Sequence, residues 1–190
     1  LPRSSEPFVF FWAGRLEHVK GIDMLLKAIA ALESQTDADF SVRLAGRGSL
    51  RRQLEEQAES LGIGSKVVFL GRISREEIQR EMQKASCFVL PTRYEAFGAV
   101  LIEAMATGLP VIATRSGGPQ FIVNENNGIL IDPEREDRLT EAMLQMIREY
   151  RSYDPARIRQ DTIRKYGEKE VMEQYHQLFQ EIISTAKETT

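Results

Sequence analysis

Residues 87–113 read CFVLPTRYEAFGAVLIEAMATGLPVIA. Two short apolar runs, Cys87–Leu90 and Val111–Ala113, bracket a polar loop and the helical segment Ala99–Ala106. Strand, loop, helix, strand is a βαβ unit, which places its two strands parallel. Both runs are apolar throughout, as expected for strands buried on both faces of a sheet.

The same alternation extends in both directions. Phe8–Ala13 reads as a strand, and Ile22–Leu32 as a helix with apolar residues at 22, 25, 26, 29 and 32. Phe40–Ala45 is a strand, Ser49–Leu61 a helix stopped by Gly62, and Lys66–Leu70 a strand. Ser74-Arg75-Glu76-Glu77 is a capping box opening a helix to Ala85. Ile129–Ile131 is a last short strand. From about residue 135 the chain reads as helical, with Asp154-Pro155 as a cap and first-turn proline. The fold expected is α/β: a Rossmann-like parallel sheet with helices on both faces.

Composition limits the function classes. The 190 residues suit one domain, and the 42% hydrophobic content is enough for a core. Lys+Arg 25 against Asp+Glu 28 leaves a net charge of −3, so no nucleic-acid partner is expected. Cys87 is the single cysteine, which rules out an intramolecular disulfide and allows a cytoplasmic location. The most apolar region, Gly98 to Thr114, is broken by Glu103, Gly108 and Pro110, so no membrane span is expected. No signal peptide is visible. The opening Leu1-Pro2-Arg3-Ser4-Ser5 reads as linker, and the chain as a piece of a longer protein.

In a parallel sheet of this kind, ligands sit beyond the carboxyl ends of the strands. The informative loops therefore follow Ala13, Ala45, Leu70, Leu90 and Thr114. In the first, Gly14 to Gly21, Arg15 and Lys20 flank a turn before a helix and suit a diphosphate; a solvated basic turn is the plainer reading. In the loop after Leu90, Gly98 allows close backbone approach, and the unpaired amides of a helix start favour an anion. Glu103 sits in an apolar segment, where a carboxylate needs hydrogen-bond donors. Ribose or sugar hydroxyls would serve, and so would a structural partner.

Three motifs are set aside. Gly46-Arg47-Gly48 begins like a dinucleotide fingerprint, but position 51 is Arg and the strand is the wrong one, so no nicotinamide cofactor is expected. Asp37-Ala38-Asp39 has a metal-type spacing but precedes a strand; it reads as a polar turn, and no metal is expected. His18 and His176 are isolated, and no Ser-His-Asp or Cys-His set can be assigned.

The ordered motifs resemble a known family. They are Ala13-Gly14-Arg15-Leu16 with Lys20-Gly21, Leu44-Ala45-Gly46-Arg47-Gly48, Val68-Phe69-Leu70-Gly71, and Phe88-Val89-Leu90-Pro91-Thr92. Glu95 and Glu103 follow with seven residues between, then Glu103-Ala104-Met105-Ala106 with Gly108 and Pro110, and Gly117-Gly118-Pro119. Together they resemble the C-terminal, donor-binding domain of GT-B-type retaining glycosyltransferases, over nearly the whole chain. The resemblance implies one half of a GT-B fold, the acceptor-binding N-terminal domain being absent from these residues.

It further implies residue roles. Arg15 and Lys20 would hold the donor diphosphate, with Gly14 beside them. Glu95 would contact the transferred sugar, and Glu103 the ribose hydroxyls. Amides around Phe97, Gly98 and Ala99 would contact phosphate or sugar, and Arg72 and Ile73 would border the base. Arg15, Lys20 and Glu95 would be the catalytic set. Two positions depart from the family: Ala96 where Gly is frequent, which bears on the sugar pocket, and Gln120 where Glu is frequent.

The function implied is a hexosyl transfer from a nucleoside-diphosphate sugar, a co-substrate, with no separate cofactor. The acceptor is a glycan, lipid or small molecule held by the other domain. Implied too are an inactive isolated piece and a cytoplasmic enzyme with scope for peripheral association at the inner membrane face. A nucleotide-sugar epimerase of similar architecture and a non-catalytic nucleotide-sugar-binding module are the alternatives.

Overall fold

The computed structural model describes residues 7–188. The opening Leu1–Ser5 lies outside the described residues. Six strands, β1 (Phe8–Arg15), β2 (Phe40–Arg47), β3 (Val67–Gly71), β4 (Cys87–Leu90), β5 (Val111–Thr114) and β6 (Gly128–Ile131), form one sheet in the order β3-β2-β1-β4-β5-β6. Every pairing is parallel. The helices are α1 (Ile22–Glu33), α2 (Arg51–Ser60), α3 (Arg75–Lys84), α4 (Ala99–Ala106), α5 (Glu136–Glu149), α6 (Pro155–Tyr166) and α7 (Glu168–Glu188). α1 packs against α2 and α5, whereas α4 packs against α3 and α6, which makes two separate layers over the sheet. This is the doubly covered, Rossmann-like α/β fold expected.

Central β1 shows why its residues are apolar on both sides. Phe10 meets Phe40 of β2 and Phe11 meets Phe88 of β4, both edge-on. Successive residues point to opposite faces, so both faces need an apolar partner. Helix α1 buries Ile22, Leu25, Leu26, Ile29 and Leu32, the spacing anticipated. Each such side chain contributes about 1.5–3 kcal/mol through burial. In the α3 capping box, Ser74 Oγ accepts from the Glu77 amide at 3.2 Å and Glu77 Oε2 accepts from the Ser74 amide at 2.7 Å. Asp154 Oδ1 caps α6 by accepting from Ala156 N at 2.9 Å.

The elements differ from expectation mainly at their ends. β1 and β2 each run two residues further, through Gly14-Arg15 and Gly46-Arg47, because these residues lie side by side in register. Paired backbone hydrogen bonds carry the ladder past residues that contribute no side-chain packing. α2 begins at Arg51 and β3 at Val67, and a short 3-10 turn at Gly118–Phe121 was not anticipated.

The topology sets the location of the site. The connection after β1 leads to β2 on one side, and that after β4 leads to β5 on the other. The two loops diverge, and they leave a crevice at the carboxyl edge between β1 and β4. At the far end of the chain, α7 exposes Met172, Tyr175, Phe179 and Ile182 at helical spacing. Among the described residues no helix is long and apolar enough to cross a membrane.

Candidate functional site

An ion pair joins the two diverging loops. Lys20 Nζ lies 2.8 Å from Glu95 Oε2, with both side chains largely buried. Lys20 ends the 3-10 turn His18–Lys20, which turns into α1 through Gly21. Glu95 is held by its backbone: its amide donates to Ser116 O at 3.0 Å, and its carbonyl accepts from Gly118 N at 2.8 Å. Gly117 is required between them. Its φ is 129°, and a β-carbon there would stand 2.5 Å from the Glu95 carbonyl oxygen. Buried hydroxyls beneath this point tie the β4 and β5 ends together: Thr114 Oγ1 donates to Thr92 O at 2.5 Å, and the Thr92 and Ser116 hydroxyls are 2.9 Å apart.

Next to Glu95, helix α4 starts without a side-chain cap. The amides of Phe97, Gly98 and Ala99 have no hydrogen-bond acceptor among the described residues, and Phe97 and Ala99 are exposed. Such amides, with the positive end of the helix dipole, form an anion-attracting surface. Gly98 itself is buried with φ 89°. The left-handed helix entry by itself favours glycine here.

The remaining sequence-derived residues are more dispersed. Gly14 is exposed at the end of β1. Arg15 follows it, but its side chain is 74% exposed and pairs with Glu17 at 2.9 Å, apart from the Lys20–Glu95 contact. Beyond β3, Arg72 is exposed and Ile73 packs partly against the core. Glu103 is exposed rather than enclosed by the apolar residues that flank it in sequence. Leu101, Ala104 and Met105 take the buried face of α4. The helical turn of about 100° per residue carries Glu103 round to the other side. There it lines a groove of about 530 Å³ with Arg75, Ile78 and Gln79 of α3 and Arg159 of α6. No hydrogen bond or ion pair holds Glu103 among the described residues.

Asp37-Ala38-Asp39 lies before β2, at the amino edge of the sheet, away from the crevice. Among the described residues no three His, Cys, Asp or Glu side chains are grouped to hold a metal ion. His18 is exposed, and the His176 ring lies 2.8 Å from the Gln180 amide on α7.

Sequence reasoning missed a second link across the crevice. The Arg93 guanidinium grips the Asp23 carboxylate through two bonds of 2.8 Å, and it donates to His18 O at 2.6 Å. These partners are 70 and 75 residues away along the chain, and no local motif joins them.

Comparison with known proteins agrees with this architecture. Residues 1–170 match the family described as glycosyl transferases group 1. The chain is 32% identical over 168 residues to an uncharacterized glycosyltransferase of Methanocaldococcus jannaschii, covering 87% of this chain and 42% of that protein. It is 39% identical over 154 residues to the D-inositol 3-phosphate glycosyltransferase of Corynebacterium urealyticum, covering 77% and 36%. Among solved structures, the apo lipopolysaccharide outer core galactosyltransferase WaaB superposes with a TM-score of 0.84 at 24% identity, over 95% of this chain and 51% of that one. The chain thus spans about two-fifths of the length of the curated relatives it matches.

Proposed function

This chain belongs to the group 1 glycosyl transferases, and on that footing we propose that it is the donor-binding part of a two-domain retaining hexosyltransferase. Its substrate is a nucleoside-diphosphate sugar. The observation that carries the reading is the Lys20–Glu95 pair at the β1/β4 crevice. It sets a cation for the diphosphate beside a carboxylate for sugar hydroxyls.

The reaction breaks the bond between the anomeric carbon and the diphosphate, and the electron pair stays on the diphosphate oxygen. The acceptor oxygen bonds to the anomeric carbon with retention and passes its proton to the departing diphosphate. Negative charge therefore grows where Lys20 and the free amides of Phe97, Gly98 and Ala99 gather. Fixed donors aimed at developing charge are commonly the largest catalytic contribution. Glu103 takes the ribose hydroxyls at the mouth of the α3–α4 groove, Arg72 and Ile73 border the base, and Arg15 and Gly14 face the diphosphate from the outer side.

The coverage of relatives and the exposed apolar stripe of α7 support a second domain that carries the acceptor site and covers α7. A glycan, lipid or small molecule is the acceptor class, and the full protein works in the cytoplasm or peripherally at the membrane face. No divalent metal is assigned a role.

Calorimetric titration of the 190-residue chain with UDP, GDP, ADP and their sugars, beside transfer assays of the full-length protein in excess chelator, tests each part. The expected result is binding without transfer by the chain alone, and undiminished transfer by the longer protein. A well-folded chain that binds none of the six overturns the donor-site assignment. Full transfer by the chain alone overturns the two-domain reading, and activity lost in chelator and restored by magnesium overturns the metal-free one.

A further inference from the structure

We propose that Arg93 and Asp23 are positioning residues that hold Lys20 at the diphosphate site; this rests on the donor-site reading above. Arg93 touches the β1–α1 loop at two points beside Lys20 and the first turn of α1 at a third. Its Nη1 donates to the His18 carbonyl at 2.6 Å, its amide donates to the Val19 carbonyl at 2.9 Å, and its guanidinium forms a fork with Asp23 at 2.8 Å on each arm. Glu95, the partner of Lys20, is two residues along the same loop. Lys20, Glu95, Arg93 and the loop backbone thus close a ring across the crevice.

The residue types fit the task. A lysine side chain has four rotatable bonds and a single charged tip, so its position depends on its backbone. The 3-10 turn that carries it has no side-chain cap. Arginine can satisfy a carboxylate with two parallel bonds and still reach a carbonyl, which lysine cannot do. Arg93 is only 19% exposed, so water competes little for these bonds. The Asp23 carboxyl is held below its usual range, chiefly by the hydrogen bond from Arg93, so the fork stays charged at neutral pH.

A purely structural fork would lower stability and leave binding by the folded protein unchanged. A positioning fork acts through Lys20, so its removal should count only while Lys20 is present. The test is a double-mutant cycle on the 190-residue chain: wild type, Arg93→Lys, Lys20→Ala and the pair, titrated with whichever of UDP, GDP and ADP raises the melting temperature most. Asp23→Asn, an isosteric change, serves as a second probe should Arg93→Lys fail to fold. Nucleoside without phosphate is titrated in parallel.

Arg93→Lys and Asp23→Asn should each weaken diphosphate binding about tenfold, leave nucleoside binding unchanged, and have no further effect once Lys20 is alanine. Equal diphosphate binding by wild type and folded variants overturns the positioning role alone. The same loss in the Lys20→Ala background also overturns it. If the wild type binds no diphosphate, the donor-site reading falls and the role of Arg93 falls with it.

Discussion

Where the loops after β1 and β4 meet, polar side chains pair with one another: Lys20 with Glu95, Arg93 with Asp23, and Thr92 with Ser116. Along the groove between α3 and α4, Glu103 stands exposed and unpaired among the described residues. On the proposed donor-site reading, the difference suits the chemistry of each end. Charge that develops during bond breaking is best met by groups already fixed in place, because reorganisation at that moment costs rate. Ribose hydroxyls bring their own donors and do not change charge, so a carboxylate open to water can receive them with little preparation.

The largest effect should come from the prepared end. Lys20→Ala in the full-length protein should lower turnover about 100-fold or more, as loss of one fixed donor to a leaving group does. Steady-state assay of sugar transfer checks this, and a change under about threefold would remove Lys20 from the catalytic set.

The next separates pairing from catalysis. Glu95→Gln releases Lys20 from its ion pair, so the bare nucleoside diphosphate should bind about tenfold tighter while transfer falls. Titration with diphosphate and with nucleotide sugar decides it. Weaker binding of the bare diphosphate would show that Glu95 orients Lys20 rather than competing for it.

At the open end the effect should be smaller and uniform. Glu103→Gln should weaken ribonucleotides about fivefold and leave 2′,3′-dideoxy nucleotides unchanged, since one charge-assisted bond becomes a neutral one. Equal losses for both would show that Glu103 does not read ribose.

Arg15→Ala should matter least, about twofold or less in diphosphate affinity, because a guanidinium 74% exposed and shared with Glu17 is screened by water. A loss as large as that of Lys20 would place Arg15 in the prepared end after all.

Much of this molecule was legible from residue order. α4 and β4 fall on the residues expected, as do the α3 capping box and the Asp154-Pro155 start of α6, because each rests on short-range periodicity or capping. The parallel sheet followed from uninterrupted apolar runs, and the sheet directs the search for a site to its carboxyl edge. Lys20 and the α4 start stood out as candidates because they lie on loops that this topology brings to one edge, and the role expected of Glu95 came from the family resemblance.

Folding in three dimensions supplied the pairings. That Lys20 meets Glu95 but Arg15 does not, that Arg93 holds Asp23, and that Gly117 must be glycine to admit the Glu95 carbonyl all depend on segments far apart in the chain. The facing of Glu103 was likewise invisible in its apolar neighbourhood, because linear neighbours on a helix point in different directions. Local order along the chain dictates elements, since their hydrogen bonds and apolar periods close within a few residues. Side-chain partnership across a crevice is set by how the strands are ordered and how closely the loops approach, and those are properties of the packed sheet.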